Sequence, residues 1–433
     1  MSARATALSA LIATRRQNAW SDGVLKQYIA RDGLDRRDAA FCTELCYGVL
    51  QNRMLLDFHI SKFLNGKLKD LQPVVLDILR LGMYQIVFLD RVPASAAVNE
   101  AVEQCKRFAN RRAAGLVNGV LRAAARADAL PEPDEISVKY SHPQALVALL
   151  RESVGDALLE PLLAADNAPA PTTLQINPLK DGEGAVRELT DAGAALTAHP
   201  WLEGCWLAKG TGSLEQLEAF QSGRVFVQDA AARLAAMASG VRPDMRVLDA
   251  CAAPGGKSFA AAMQMGNRGE IVSCDIHPHK IALIEKGAER LGISIIRAEV
   301  QSAAERREEF AGAFDVVIAD VPCSGLGVIR KKPDIRYKNP DELARLPALQ
   351  SAILENVCAY VRAGGVLLYS TCTVLRRENQ DVVQAFLARH PEFRPEAFAV
   401  PPDAGLENDG MLTLLPCVHG TDGFFICKLR KQL

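Results

Sequence analysis

Residues 247–258 read Val247-Leu248-Asp249-Ala250-Cys251-Ala252-Ala253-Pro254-Gly255-Gly256-Lys257-Ser258, a short apolar run followed by a glycine-rich turn and a helix-forming segment. Gly255 and Gly256 let the backbone approach a ligand closely, and the N-terminus of the following helix offers free N–H groups to a carboxylate. Ligands of α/β sheets bind beyond the carboxyl ends of the strands, so this turn is a predicted binding site. The pattern lacks the upstream glycine of a phosphate loop, which stays the alternative interpretation.

Strand-like runs and helical stretches alternate from about residue 230 onward. The runs are short and rich in β-branched residues: Arg246–Ala250, Glu270–Cys274, Ile293–Arg297, Asp315–Ala319 and Val366–Ser370. This alternation is typical of a doubly wound parallel α/β sheet. Two final runs, Met411–Cys417 and Phe424–Leu429, predict a hairpin at the end of the chain.

Acidic and cysteine residues follow several of these runs. Asp275 comes about 20 residues after the glycine turn, where a carboxylate can accept two ribose hydroxyls, although such a residue is often only a helix cap. Cys323 and Cys372 each lie just beyond a predicted strand, and Asp320 precedes Cys323. Because the carboxyl ends of parallel strands meet at one edge of a sheet, we expect both cysteines and Asp320 to share a site.

The rest of the chain divides into two further parts. Residues 1–130 have apolar positions at three-and-four spacing with breakers between them, which predicts an all-helical domain. The cluster Leu130-Pro131-Glu132-Pro133-Asp134 predicts a linker. Residues 135–230 predict a small α+β module, and residues 231–433 form the domain with the alternating pattern.

Charge is unevenly distributed, although the net charge is only −1. Residues 1–130 hold 19 Lys and Arg against 12 Asp and Glu, an excess that favours contact with phosphates, and a solvated helical surface explains it equally well. The 11 cysteines form no paired framework and no Cys-x-x-Cys pattern, so we expect a reducing cytoplasm, no disulfides and no metal. No apolar run reaches the ~18 residues that suggest a membrane span.

Three motifs together resemble the Sun/Fmu-type RNA 5-methylcytosine methyltransferases. They are Cys-Ala-Ala-Pro-Gly-Gly-Lys at 251–257, Asp-Val-Pro-Cys-Ser-Gly at 320–325 and Tyr-Ser-Thr-Cys-Thr at 369–373. Segments 79–85, 92–100 and 115–122 resemble the NusB-like helical domain that accompanies this catalytic fold, and Phe226-Val227-Gln228-Asp229 resembles the start of the catalytic domain. The resemblance implies a NusB-like RNA-binding domain and a Rossmann-like methyltransferase sheet that uses S-adenosyl-L-methionine.

The resemblance also implies a role for each matching residue. Cys372 matches the nucleophile, Cys323 the second cysteine, tied to release of the adduct, and Asp320 the acid that contacts the cytosine. The implied cofactor-binding residues are Cys251, Ala252, Ala253, Pro254, Gly255, Gly256, Lys257, Asp275, Glu299 and Asp320. One position departs from the family pattern, because Val300 stands where an aspartate near the adenine is usual, and Glu299 is the candidate substitute.

Paired cysteines suit the chemistry that the family performs. Carbon 5 of cytosine is a poor nucleophile, and addition of a thiolate to C6 makes it enamine-like, so that it can attack a methyl group. The attacking sulfur must be a thiolate, and an acid near ring N3 would stabilise the adduct. Asp320 is a suitable acid for that contact.

The expected substrate is a cytosine in small-subunit (16S) ribosomal RNA, free or partly assembled, and the chain is expected to be a monomer without DNA or membrane partners. One alternative is a transfer-RNA cytosine-5 methyltransferase. Another is a non-catalytic RNA-binding ribosome assembly factor, against which the intact Cys323, Cys372 and Asp320 argue. A DNA cytosine methyltransferase would use the cysteine of the Pro-Cys motif as nucleophile, whereas the Ser-Thr-Cys motif and the helical N-terminal part favour RNA.

Overall fold

Helices form the first part of the chain, as its apolar spacing predicts. The structure, a computed structural model, describes residues 1–17 and 20–433. Its contacts divide into a helical unit, Met1–Ala148 with Ile329–Lys338, and a second unit, Leu149–Val328 with Asn339–Leu433. Within the described part of the chain, no helix is long and apolar enough to span a membrane.

The helical unit is built on a single apolar core. Its helices are α1 Ala3–Gln17, α2 Ser21–Asp32, α3 Arg36–Gln51, α4 Arg53–Phe63, α5 Pro73–Phe88, α6 Ala94–Phe108, α7 Arg111–Arg126 and α8 Ile136–Lys139, followed by α9 Gln144–Val154. Leu8, Leu45, Ile78 and Leu121 come from four different helices and are fully buried together. Local signals set the helix starts: the Asn110 side chain, for example, accepts a hydrogen bond from the Ala113 N–H and caps α7.

A short segment from the C-terminal half of the sequence, Ile329–Lys338, also belongs to the helical unit. Arg336 lies in it and is only 2% exposed. Its guanidinium donates hydrogen bonds to the carbonyl oxygens of Gln51 at 2.7 Å and Ser141 at 3.3 Å. A buried arginine needs such partners, so these hydrogen bonds tie the segment to the helical unit.

The second unit begins with the small α+β module. Its elements are α10 Asp156–Asp166, β1 Thr172–Ile176, α11 Gly182–Asp191, β2 Ala195–Ala198, β3 Cys205–Lys209, α12 Glu218–Gln221 and β4 Val225–Val227. The four strands form an antiparallel sheet in the order β2-β3-β1-β4. Gln175 on β1 donates a hydrogen bond to the carbonyl oxygen of Gln228, which joins the module to the residues that lead into the large sheet.

The large sheet carries the alternating strands and helices. Its strands are β5 Arg246–Asp249, β6 Glu270–Asp275, β7 Ile296–Val300, β8 Phe314–Asp320, β9 Val361–Thr371, β10 Phe393–Pro395, β11 Met411–Leu414 and β12 Phe424–Lys431. The helices are α13 Ala230–Ala238, α14 Gly256–Gln264, α15 Pro278–Leu291, α16 Pro340–Ala344, α17 Leu346–Val357, α18 Gln380–Arg389 and α19 Pro416–His419. Short 3-10 turns complete the chain at Leu68–Asp70, Leu214–Gln216, Glu308–Phe310, Pro333–Tyr337, Cys358–Tyr360, Arg376–Glu378 and Pro402–Ala404.

The order of the strands determines where the large sheet can bind a ligand. The strands follow the order β10-β12-β9-β8-β5-β6-β7, with β5 to β9 parallel and β12 antiparallel to β9. Strand β5 has β6 on one side and β8 on the other, so the crevice of a doubly wound fold opens at the carboxyl ends of β5 and β8. The predicted doubly wound sheet is therefore confirmed. β11 pairs with β12 as the closing hairpin predicts, but the strand ends at Leu414 and not at Cys417, because Pro416–His419 forms helix α19.

One predicted strand starts later than its apolar run. The sequence predicts Ile293–Arg297, whereas β7 spans Ile296–Val300. Gly292 adopts a left-handed conformation, and the Ile293 N–H donates to the Ala288 carbonyl, which closes helix α15 with a Schellman-type turn. Ile293 is therefore part of the helix end, and its hydrophobic side chain packs into the core from there.

Candidate active site

The glycine turn connects β5 to α14 in a conformation that needs glycine. Gly255 has φ +110°, and a Cβ at this position would collide with the ring of Phe259. The adjoining Gln228 side chain donates a hydrogen bond to the Gly256 carbonyl at 2.9 Å. Of the seven predicted loop residues, Pro254 is exposed, while Cys251, Ala253 and Gly256 are partly buried and Ala252, Gly255 and Lys257 are buried.

Beneath this turn lies a buried polar contact between three elements. The Ser258 hydroxyl on α14 donates to Asp249 Oδ2 at 2.7 Å and lies 2.8 Å from the Ser273 hydroxyl on β6. Burial raises the pKa of Asp249 to about 6, and the hydrogen bond from Ser258 acts against that rise. The contact fixes the N-terminus of α14 at the ends of β5 and β6.

Asp275 is the last residue of β6 and Glu299 the second-last residue of β7, and their surroundings differ. Asp275 is nearly buried, and its Oδ1 accepts the His277 N–H at 3.0 Å. Glu299 forms ion pairs with Arg297 and Arg307, which engage both carboxylate oxygens. Val300, at the position where the family usually has an acid, is 55% exposed at the strand end.

A lysine–aspartate pair links the glycine turn to the cysteine motifs. The Lys257 ammonium donates to Asp320 Oδ2 at 2.5 Å, and the Ser370 hydroxyl donates to Asp320 Oδ1 at 2.8 Å. Lys257 is 8% exposed and Asp320 is 30% exposed, so the pair is held by the protein while the aspartate still faces the crevice. The same ammonium lies 4.9 Å from the centroid of the Phe424 ring.

Both predicted cysteines meet at this point. Cys323 Sγ and Cys372 Sγ lie 3.3 Å apart, and both residues are partly exposed. The hydrogen bond with Cys323 lowers the pKa of the Cys372 thiol, and the nearby Lys257 acts in the same direction, against burial and the charge of Asp320. The hydrogen bond with Cys372 and burial raise the pKa of Cys323 well above its ordinary value. The nearby Lys257 ammonium therefore favours a thiolate at Cys372.

Backbone contacts hold the two cysteine turns against the terminal hairpin. The Gly327 N–H donates to the Cys372 carbonyl at 3.0 Å, and the Gly423 N–H donates to the Gly327 carbonyl at 2.8 Å. The Asp422 N–H donates to the side chain of Asp229, the residue that caps α13. The hairpin loop thus forms one wall of the site.

Several polar residues of this region have no role among the sequence-based expectations. They are Asp249, Asp422, Glu378 and Asn379, and Lys257 is expected to bind only the cofactor. Glu378 and Asn379 follow the Ser-Thr-Cys motif and are fully buried. The signal that could have revealed them is an acidic and an amide residue next to an apolar helix start, yet the same pair is common on exposed surfaces.

Comparisons with known proteins agree with this geometry. Residues 236–430 match the family model described as 16S rRNA methyltransferase RsmB/F, and residues 1–126 match the NusB family. The chain is 39% identical to the probable ribosomal RNA small subunit methyltransferase B of Bacillus subtilis (strain 168), over 100% of the chain and 99% of that protein. It is 35% identical to the probable protein of the same name from Synechocystis sp. (strain ATCC 27184 / PCC 6803 / Kazusa), over 100% of both.

Among solved structures, the crystal structure of PH0851 aligns with a TM-score of 0.82 and 25% identity and covers 99% of each chain. The fold, the positions of the motifs and the full-length relatives all indicate the same family. The chain belongs to the family of ribosomal RNA small subunit methyltransferase B, with a NusB-family domain preceding an RsmB/F methyltransferase domain.

Proposed function

We propose that the chain methylates carbon 5 of a cytosine in small-subunit (16S) ribosomal RNA, using S-adenosyl-L-methionine and a covalent bond between Cys372 and C6. One observation carries the proposal: two thiols 3.3 Å apart lie beside a lysine–aspartate pair at the carboxyl edge of the sheet. A pair of thiols serves no purpose in a simple methyl transfer, whereas addition and release of a nucleophile require one group for each step.

The residues at the sheet edge fit S-adenosyl-L-methionine. Helix α14 begins at Gly256 and points its free N–H groups outward, which suits a carboxylate. Asp275 ends β6 with a carboxylate able to accept ribose hydroxyls. When bound, the cofactor supplies an electrophilic methyl group on its sulfonium. The contact to adenine is assigned to Glu299 with Val300 beside it, and the two arginines that pair with Glu299 would share that carboxylate.

The chain's own residues divide the reaction between them. The Cys372 thiolate adds to C6 of the cytosine, and the electron pair of the C5–C6 bond moves to C5, which takes the methyl group. Asp320, as an acid, donates a proton to ring N3, which neutralises the charge that the addition places on the ring, and it takes this proton back on release. A solvent base removes the C5 proton, its electron pair restores the C5–C6 double bond, and the bond from C6 to Cys372 breaks. Cys323 assists release by donating its proton to the departing sulfur. Lys257 stabilises the thiolate and holds Asp320 in place.

In this proposal the helical unit binds the RNA backbone. An unpaired or flipped cytosine would enter the active site of the catalytic domain. The proposed state is a monomer that acts in the cytoplasm, on free or partly assembled RNA. Cysteines without a paired framework agree with a reducing compartment.

Bisulfite sequencing of total RNA from cells with and without this protein tests the proposal, since it reports base, position and RNA class together. We expect one cytosine of small-subunit ribosomal RNA to lose its protection when the protein is absent. A change confined to transfer RNA would instead assign the transfer-RNA activity. Unchanged protection throughout, with altered subunit assembly, would support the non-catalytic assembly factor.

A further inference from the structure

Two consecutive residues, Glu378 and Asn379, lie under the cysteine turns and take no part in the proposed reaction. Both are fully buried, and they stand at the start of α18. A buried carboxylate is costly unless hydrogen bonds compensate it, so a buried glutamate beside an active site calls for a specific role.

Glu378 holds the backbone around Cys323. Its Oε2 accepts hydrogen bonds from the Ser324 N–H and from the Gln350 side-chain amide, both at 2.9 Å. The same Gln350 amide donates to the Pro322 carbonyl at 3.0 Å. The residues immediately before and after Cys323 are therefore both connected to this one carboxylate.

Asn379 does the same for Cys372. Its Oδ1 accepts a hydrogen bond from the Thr371 hydroxyl at 2.6 Å, and its Nδ2 donates to the Thr373 carbonyl at 3.0 Å. The Ser324 hydroxyl donates to the Thr373 hydroxyl at 2.7 Å and joins the two turns directly. A single dipeptide thus contacts the neighbours of both cysteines.

We propose that Glu378 and Asn379 are positioning residues that set the separation of the two thiols, Glu378 through the turn of Cys323 and Asn379 through the turn of Cys372. The proposal rests on the proposed function, because it assigns release to one turn and nucleophilic attack to the other. Displacement of a reacting group by about 1 Å can cost about 100-fold in rate, so such a support is needed.

The charge of Glu378 has a second effect that a purely structural residue would lack. The hydrogen bond with Cys372 and burial are the largest causes of the raised pKa of Cys323. The negative charge of Glu378 raises that pKa further. The charge of Glu378 therefore acts on the Cys323 thiol in the direction that favours its protonated form. Glutamine in its place would remove the charge and keep one oxygen for the Ser324 N–H, with an amide NH2 group in place of the other oxygen.

The first test measures thiol alkylation against pH in the full-length protein, with each cysteine followed by mass spectrometry. In Glu378→Gln we expect the alkylation midpoint of Cys323 to move to lower pH, because the negative charge is gone. Asn379→Ala is not a control in this test, because displacement of Cys372 also changes the hydrogen bond that raises the pKa of Cys323. The control is Gln384→Ala, an exposed position on the same helix α18. An unmoved Cys323 midpoint in Glu378→Gln overturns the electrostatic part of the assignment.

The second test follows the covalent RNA adduct in single turnovers. Asn379→Ala should slow adduct formation about 100-fold with cofactor affinity unchanged, because Cys372 is displaced. Glu378→Ala should form the adduct and accumulate it, because Cys323 is displaced; if it does not fold, judged by circular dichroism, Glu378→Gln decides through alkylation. Control-like kinetics in both variants, or the same defect in both, reject the division of roles. A wild-type protein that forms no adduct rejects the proposed function instead, and the alkylation result still stands.

Discussion

At the scale of single residues, Lys257 and Asp320 have more than one task. The sequence places Lys257 in the glycine turn and Asp320 beside Cys323, and the resemblance assigns both to the cofactor. In the structure their side chains form one ion pair next to Cys372. Their opposite charges act on the same thiol in opposite directions, which makes the pair open to a direct test.

Lys257→Gln should raise the pKa of Cys372, because a positive charge that favours the thiolate is lost. Asp320→Asn should lower it, because the negative charge that disfavours the thiolate is lost. The measurement is the pH midpoint of Cys372 alkylation in the free protein, where no cofactor or RNA is needed. Lys286→Gln, on the exposed side of α15, is the matched control. Shifts of the same sign in both variants would contradict the assigned electrostatics.

Variants of the two cysteines should differ in the covalent RNA adduct that a denaturing gel detects. Cys372→Ala should form neither adduct nor product, because the sulfur that attacks C6 is absent. Cys323→Ala should methylate its RNA once and stay attached to it, since release is impaired while the carbon–sulfur bond survives denaturation. Cys417→Ala, a partly exposed cysteine on α19, should behave as wild type. An adduct from Cys372→Ala and none from Cys323→Ala would exchange the roles and move the enzyme toward the DNA-type scheme.

At the scale of elements, three loops meet at the carboxyl ends of β8 and β9. The turn after β8 carries Cys323, the turn after β9 carries Cys372, and the loop before β12 closes over both. Gly327 and Gly423 are the closest points of this contact, and their backbones leave no room for a side chain between them. Strand order creates the contact, because β8, β9 and β12 are neighbours in the sheet.

Gly327→Ala should push the cysteine turn away from the hairpin loop. The added Cβ would collide with the carbonyl of Gly423, and we expect a destabilisation of about 1–3 kcal/mol with a loss of methyl transfer. The urea midpoint and product formation measure the two effects. Gly115→Ala is the control: it lies in helix α7 with open space around it and should stabilise by about 0.4–1 kcal/mol. A fully active Gly327→Ala would show that the loops need not touch.

At the scale of the whole molecule, charge and chain connectivity both matter for RNA binding. The basic cluster, defined as Lys106, Arg107, Arg111 and Arg112, is exposed at the end of α6 and the start of α7. Removing residues 1–130 would be a poor test of its role. Ile329–Lys338 belongs to the helical unit, and the deletion would remove Gln51, whose carbonyl accepts a hydrogen bond from the buried Arg336.

Neutralising the basic cluster with glutamine at all four positions should weaken RNA binding and reduce its dependence on salt. Each phosphate contact that is lost should reduce the slope of log K against log salt by about 0.7 for single-stranded RNA. Cofactor affinity should not change. The control removes the same charge from four exposed positions of the second unit, Arg242, Arg268, Lys286 and Arg394. Equal losses in both variants would mean that total charge, and not this surface, attracts the RNA.

The sequence alone was sufficient for the features that depend on local pattern. Alternating strands and helices, the glycine turn at Gly255 and the two cysteines beyond strand ends all follow from short-range spacing and backbone sterics. The position of both cysteines at one edge was also predictable, because carboxyl ends of parallel strands converge.

Tertiary structure alone decided the partners of the polar groups. Lys257 pairs with Asp320 because β8 lies next to β5, and no periodicity reveals that strand order in advance. Glu378 and Asn379 are buried beneath the cysteine turns, and Arg336 is buried in the helical unit, although charged and amide residues usually lie at the surface. Such partnerships join residues far apart in sequence, so they depend on the complete packing of the chain and not on any local pattern.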